Sequence, residues 1–523
     1  MKNIFKLMLF TSLFFVSCDE NLLEPFTPGA LTEDVAIQKS SDLQKVMNAA
    51  YNQLLNREDA VFTSIFTDEA GIGHSNGGQG RSAEYIFFLT PDTAAPNSIW
   101  NSCYYSLSRA NRVIKFADLI APTSPADVQI IARLKAEALV IRAHCHLKLM
   151  SYFSPDPKND GALAAVLADR IITASEVLPR STNGDFYASI HSDLNAAIAI
   201  YATNTAPAYT APTVYASKNL ATALKARAYA LKGDYTNAET WADQTIANGP
   251  TLVSVADYTK LFWSESEPAN REVIFRLKKS PNQNGQGINL HNGWCSIRPN
   301  AAGSPFYDVS RALHNILNPN NYNTTTQLAL FNSVTDVRLR TIVAPSSVID
   351  PNYLTSTNYL NSDKLILHKH GGVATGTNTW ANTGAGANNN DFKIARISEM
   401  YFIKAEARTA AGDLAGAAAV MDIVIDARNT VNQPTPVYAN ATAAWKGILD
   451  QRRLEFAFEG YRYIDLKRIG TLAGAGLDRH PVDYAQYPLG NPANLPLTSY
   501  KFTLPIPRVE LDTNNGIQQN PGY

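Results

Sequence analysis

The stretch at 452–470, RRLEFAFEGYRYIDLKRIG, limits what this chain can become more than any other part of it. Eight of its residues are ionised: Arg452, Arg453, Glu455, Glu459, Arg462, Asp465, Lys467 and Arg468. Leu454, Ala457 and Phe458 fall at helical spacing and face inward. Gly460 stands where a helix stops, and Tyr461, Tyr463, Ile464 and Leu466 pack the chain that follows. Opposite charges interleaved this finely with core-forming residues are expected to pair and to fasten a helix end to its neighbours. Glu455 and Glu459 lie one helical turn apart. Carboxylates that cleave a glycosidic bond flank the sugar from opposite sides and come from different elements. The crowding arginines therefore assign this pair to ion pairing rather than to catalysis.

Helical patterning extends over most of the chain. Leu43, Val46, Met47, Ala50 and Leu54 make one apolar stripe. A second helix is expected at 97–119, with Ile99, Cys103, Leu107, Ala110, Val113 and Ile114 inward. A third is expected at 128–152, ending before Pro155 and Pro157. An internal repeat follows. Leu224-Lys225-Ala226-Arg227-Ala228 leads to Gly233-Asp234 and Ala238, and Ile403-Lys404-Ala405-Glu406-Ala407 leads to Gly412-Asp413 and Ala417, at the same offsets. Leu134-Lys135-Ala136-Glu137-Ala138 repeats the first half alone. Small alanines let two antiparallel helices approach closely, and Gly-Asp ends the first helix and caps the second. This is tetratricopeptide logic. The expected fold is mainly α, with helix pairs near 97–153, 182–249 and 392–468 forming a scaffold within a single domain at 41–523.

Two regions, 66–96 and 280–390, break the pattern and are rich in Gly, Asn, Ser and Thr. Loops this long inside a domain carry function or lack order. They hold aromatics among amides and hydroxyls: Tyr85, Trp294, Tyr307, Tyr353, Tyr359 and Trp380. A sugar ring has an apolar face and a rim of hydroxyls, so it needs a flat aromatic platform and polar groups around it. Trp294 beside Asn292 and Arg298, and Trp380 beside Asn378 and Asn382, have that composition. Asp68, His74 and Arg81 offer hydrogen bonds from the first loop. The expected ligand contacts are Trp294, Trp380, Tyr307, Tyr85, Arg81, Asp68, Asn292 and Arg298.

Other chemistries find little support. No Gly-Lys-Ser/Thr occurs, which excludes a P-loop, and no His-Glu-x-x-His occurs. His144 and His146 diverge on a helix, and His368 and His370 are an incidental pair, so no metal is expected. A formal net charge of −1 does not suit a nucleic-acid binder.

Lys2 and Lys6 precede an apolar run at 7–16, followed by Ser17 and Cys18. This is a signal peptide at 1–17, too short in its apolar part to span a bilayer permanently. The pattern resembles a bacterial lipoprotein signal, with cleavage before Cys18 and acylation of its thiol and new amino group. Several acyl chains anchor stably where one does not. Residues 18–40 then form a tether. Of the four cysteines, Cys103 and Cys145 fall on helices and are expected as buried thiols rather than a bridge.

The stretch at 452–470 resembles the C-terminal signature of the SusD/RagB family of outer-membrane nutrient-binding lipoproteins, R-R-x-E-x-x-x-E-G-x-R-x-x-D-L-x-R. It is met at Arg452, Arg453, Glu455, Glu459, Gly460, Arg462, Asp465, Leu466 and Arg468. Trp100, Tyr104, Arg109, Ala110, Asn111 and Val113 resemble a second family signature, and Pro505-Ile506-Pro507 with residues 519–523 resembles the family ending. The resemblance implies a cell-surface lipoprotein, exported with the help of Asp19 and Glu20, that captures an oligosaccharide or sometimes a peptide. It implies a partner, a SusC-like TonB-dependent outer-membrane transporter that the protein covers as a lid, and no cofactor. Ligand contacts in the family come from loops without a shared motif, so no site residue transfers by matching. Two other classes stay open. A surface hydrolase needs two carboxylates facing one groove, a spacing the loops do not suggest. A repeat scaffold that only assembles neighbouring proteins would bind no glycan.

Overall fold

The computed structural model describes residues 33–55, 57–73, 76, 82–173, 175–263, 271–278, 306–344, 346–356, 359–369, 373–374, 380–381, 391–484 and 493–523. Its main helices are α1 (Ser40–Leu54), α2 (Glu58–Phe66), α3 (Ala94–Ala117), α4 (Pro125–Phe153), α5 (Asn183–Thr203) and α6 (Lys218–Lys232). They continue with α7 (Tyr235–Asn248), α8 (Ile397–Ala410), α9 (Leu414–Asp426), α10 (Ala441–Glu455) and α11 (Arg462–Ile469). Packing follows chain order from α3 to α9. α1 lies against α3, and α10 folds back onto α8 and α9. One contiguous apolar cluster runs from Ile37 to Ile506.

Burial keeps the helical period. Leu43, Met47, Ala50 and Leu54 are buried along α1, and Ile99, Cys103, Leu107, Ala110 and Val113 along α3. Val46 and Ile114 sit at the margins of these stripes, partly buried. Cys103 and Cys145 are free buried thiols, as their helical positions suggest.

Helix ends are set by local chemistry. The Ser124 hydroxyl accepts from Asp127 N at the start of α4, and Thr182 and Asp185 form a reciprocal capping box on α5. Gly233 (φ 85) and Gly412 (φ 79) turn the chain in the left-handed region after α6 and α8. Asp234 then accepts from Asn237 N and Asp413 from Gly416 N, which starts α7 and α9. The repeat at 224–238 and 403–417 is therefore two helix–turn–helix pairs, with Ala226, Ala228, Ala405 and Ala407 buried. The third copy lacks Gly-Asp, and its helix runs on to Phe153.

Six short strands accompany the helices: β1 (Ala70–Ile72), β2 (Val273–Leu277), β3 (Tyr307–Val309), β4 (Val373–Ala374), β5 (Trp380–Ala381) and β6 (Phe392–Arg396), counted among the described residues. They form three antiparallel pairs, β1 with β3, β2 with β6, and β4 with β5. Two expectations are corrected. The helix pair placed near 392 begins as strand β6, because its first five residues are buried against β2. The region at 280–390 is not all loop. Arg311–Leu317 and Val337–Ile342 are short helices that bury Leu313, Leu317, Leu339 and Ile342. Such runs are too short for periodicity to stand out from a loop composition.

The charged stretch at 452–470 is interior. Glu455 accepts from Arg396 Nη1 at 2.6 Å and from Arg428 Nε at 2.9 Å. Glu272 binds the same two arginines, at 2.7 and 2.9 Å. Glu459 accepts from Arg396 Nη2 at 2.8 Å and pairs with Lys369 Nζ at 2.6 Å. A second group joins Arg452 to Asp465 at 2.8 Å and Arg468 to Glu406. Lys467 closes α4 by donating to the Ser154 carbonyl at 2.6 Å. Burial alone would raise the Glu455 carboxyl, but Arg428 and Arg396 outweigh it and hold the group well below its ordinary range. Glu455 and Glu459 are thus buried ion-pair partners.

Removing one partner of such a group leaves a charge without compensation. Glu455→Gln is expected to lower unfolding free energy by about 3–5 kcal/mol, read by chemical denaturation. Gly412→Ala meets nothing within 4 Å, so only backbone strain acts. The expected loss is about 1 kcal/mol. Gly460→Ala, whose Cβ would stand 3.2 Å from Ala60 Cα, is expected to cost more than Gly412→Ala in the same assay.

Candidate functional site

The long polar segments leave the scaffold from paired stems. In an antiparallel pair the end of one strand lies beside the start of the other. Ile72, which leads toward residues 74–81, therefore pairs with Tyr307, which ends the segment at 279–305. Gly73 N and Asn76 Nδ2 both donate to the Phe306 carbonyl, at 2.9 and 3.0 Å. Leu277, which leads into 279–305, pairs with Phe392, which follows 382–390. Tyr484 leads into 485–492, and its neighbour Asp483 accepts from Arg311 N at 2.9 Å. A Cβ on Gly71 would stand 2.7 Å from Asp483 Oδ1, so β1 can meet this carboxyl only with glycine there.

Buried cations lock these stems. Asp68 is fully buried and accepts from Arg462 Nε and Nη2, both at 2.8 Å, with Arg453 at 3.4 Å. Burial would raise this carboxyl, but Arg453 and Arg462 hold it well below its ordinary range. Arg479 donates to the carbonyls of Ile65, Phe66, Thr67 and Tyr85, and its guanidinium lies 4.0 Å from the Tyr85 ring centroid. Arg311 pairs with Asp363 and covers the Tyr353 ring at 3.8 Å. Three buried carboxyls at these stems lack a matching cation of this kind among the described residues and are pushed up, chiefly by burial: Glu69 to about 7, Asp308 to about 8 and Asp483 to about 6.

The expected ligand contacts divide accordingly. Asp68, Tyr85 and Tyr307 are buried, and their role is corrected to structural. Asp68 is consumed by arginines, Tyr85 donates to the Asp483 carbonyl at 2.5 Å, and Tyr307 lies in β3 with its ring 6.4 Å from that of Tyr85. Tyr353 is buried likewise. Trp294, Asn292, Arg298, Arg81, His74 and the acylation site Cys18 lie outside the described residues. Trp380 begins β5, where it pairs with Ala374, and its side chain lies outside the described residues.

The motif around Trp100 is also structural. Trp100 Nε1 donates to Glu510 at 3.2 Å, the Tyr104 hydroxyl to the Val166 carbonyl at 2.7 Å, and Asn111 Nδ2 to the carbonyls of Ala168 and Arg170 at 2.9 and 2.7 Å. His368 is buried with Nδ1 at 2.9 Å from the Arg340 carbonyl. Among the described residues no cluster of three or more His, Cys, Asp or Glu is placed to hold a metal. Sequence reasoning missed one surface feature, a groove of about 340 Å³ between α1 and α3 lined by Gln53, Asn97, Asn101 and half-exposed Tyr105. Its signal was the polar face of α3, with Asn97, Asn101 and Tyr105 four residues apart.

The described residues thus form a helical scaffold whose short strand pairs are fixed by buried ion pairs. No described helix is long and apolar enough to cross a membrane. Comparison with known proteins gives the family. A family model described as "SusD family" matches residues 271–523, and one described as "Starch-binding associating with outer membrane" matches residues 28–230. The chain belongs to the SusD/RagB family. A curated relative, SusD-like protein P2 of Formosa agariphila, is 25% identical over 272 residues, which is 50% of each chain. The match thus spans about half the length of that relative. A SusD superfamily protein from Bacteroides thetaiotaomicron superposes with a TM-score of 0.72 at 22% identity, over 92% of this chain and 100% of that one. A SusD-like carbohydrate-binding protein from Bacteroides vulgatus gives 0.67 at 17%, over 92% and 97%. A laminarin-binding SusD-like protein gives 0.63 at 20%, over 93% and 100%. The mainly helical fold is that of the SusD superfamily.

The stem carboxyls make one pH prediction. Folded Asp308 keeps its proton up to about 8, whereas the unfolded group loses it near its ordinary value. The protonated native state is therefore favoured at low pH, and this contribution is lost as pH rises from about 4 to about 8. Relative to Asp308→Asn, the wild type is expected to lose at least about 1 kcal/mol of stability across that window. Parallel pH–stability curves for the two proteins would refute the assignment.

Proposed function

We propose that this chain is a cell-surface lipoprotein that captures an oligosaccharide and delivers it to a SusC-like TonB-dependent transporter in the outer membrane. One observation carries the reading: long segments rich in aromatics, amides and hydroxyls stand on stems that buried ion pairs clamp to a helical scaffold. Rigid stems lower the ordering cost of binding, and stacking with hydrogen bonds supplies affinity without chemistry. The family match, and the carbohydrate-binding and laminarin-binding titles of two structural relatives, favour a glycan over a peptide. Trp294 and Trp380, with Asn292, Arg298 and Arg81, are the proposed contacts, now that Asp68, Tyr85 and Tyr307 serve the interior. Acylation of Cys18 holds the protein at the outer membrane, with its ligand face outward, as the lid of the transporter.

The test is a glycan array followed by titration calorimetry on the glycan retained. Trp294→Ala and Trp380→Ala are each expected to weaken binding by about 1–3 kcal/mol, the scale of base–aromatic stacking, with unfolding curves unchanged. Unchanged affinity in both variants would remove these residues from the site. Absence of binding to any glycan, with retained binding to a membrane-protein partner, would favour the assembly scaffold. Release of shortened sugars would favour a hydrolase.

A further inference from the structure

A cavity of about 110 Å³ is bordered by α2, α4, α6, α8 and the turn after α10. Its wall carries Arg57, Asp59, His144, Lys148, Arg227, Glu399 and Glu459, and Glu459 is matched by Arg396 and Lys369. The cavity is far larger than one water requires. The charges on this wall do not balance. Arg227 is matched by Glu399, with Nε to Oε1 at 2.7 Å. Arg452 and Arg468, which also border the space, are matched by Asp465 and Glu406. Arg57 and Lys148 share one carboxylate, that of Asp59. Arg57 Nε reaches Oδ1 at 2.9 Å and Lys148 Nζ reaches Oδ2 at 3.0 Å. Burial would raise the Asp59 carboxyl, but Arg57 and Lys148 hold it well below its ordinary range, so it is ionised. One positive charge remains over.

Donors on the same wall are also unused. Among the described residues Lys148 binds only Asp59, which leaves two of its three N–H groups free. His144, one helical turn earlier on α4, is only 9% exposed and has no hydrogen-bond partner among the described residues. Burial, with Lys148, Arg227 and Arg57 nearby, pushes its pKa down to about 3, so the ring is neutral and one nitrogen carries a proton. A buried charge without compensation is costly. Water would satisfy the free donors, whereas an anion would also offset the charge.

We propose that this cavity binds a small monovalent anion of halide size, held by Lys148 and Arg57 with the His144 ring as a further donor. The anion accepts from the unused N–H groups and neutralises the remaining charge. The site is bordered by scaffold helices and does not depend on the glycan reading.

Bromide is the probe. Crystals of the intact protein grown in sodium bromide, measured at the bromine absorption edge, are expected to show an anomalous peak within hydrogen-bond reach of Lys148 Nζ. Lys148→Met, which removes the excess charge and keeps the length of the side chain, is expected to lose the peak. In solution, bromide replacing gluconate at constant ionic strength is expected to raise the wild-type Tm along a saturating curve, and to leave Lys148→Met unmoved. No peak in the wild-type crystal, a peak that survives in Lys148→Met, or a Tm that ignores bromide in the wild type would each overturn the proposal.

Discussion

Glu455 lies where water does not reach, and it is stable there because Arg396 and Arg428 reach it from two other parts of the chain. Arg396 ends β6, Arg428 follows α9, and Glu272 stands at the start of β2 and binds both arginines. Four segments far apart in sequence are thus held at one point by groups whose hydrogen bonds are directional and whose charges must cancel. An apolar contact tolerates sliding, but a carboxylate between two guanidiniums does not. Such groups are not a cheap source of stability, because desolvation opposes the Coulomb gain. Their effect is to reject arrangements in which any one member is missing.

The same device recurs where the loops begin. Asp68 is gripped by Arg453 and Arg462, and Arg479 gathers four carbonyls of the chain between α2 and the Tyr85 turn. Arg453 and Glu455 are two residues apart on one helix, so α10 ties the core of the scaffold to the loop stems. The described ends of the long polar segments are thereby fixed to the scaffold. The framework itself is shared with structural relatives of 17–22% identity that superpose over more than nine-tenths of this chain.

Burial of charge also explains the signature at 452–470. Every ionised residue in it except Asp465, which pairs with Arg452 and Arg468 inside the stretch, makes a bond to a distant element, and each such bond restricts what can replace it. The Trp100 to Asn111 motif works in a similar way with neutral groups, holding the chain at 166–170 against α3 through backbone carbonyls. The two stretches identify the framework and say nothing of what it binds.

Much of the framework was legible in the sequence. The apolar period of α1, α3 and α4, the Gly-Asp turns after α6 and α8, and the ion-paired fate of Glu455 and Glu459 were all readable, because helical period and capping act within a few residues. The strand at 392–396 and the short helices within 306–344 were not, since burial against a distant partner decided them. The loop residues show the limit most clearly. Asp68, Tyr85 and Tyr307 have the composition of a sugar site, yet all three are interior. What turned Asp68 inward was Arg462, 394 positions along the chain. Local sequence determined which segments are helices, where they stop and which faces are apolar. Only the tertiary structure decided which polar side chains meet each other instead of a ligand, because a charge is buried or exposed according to partners that proximity in sequence does not reveal.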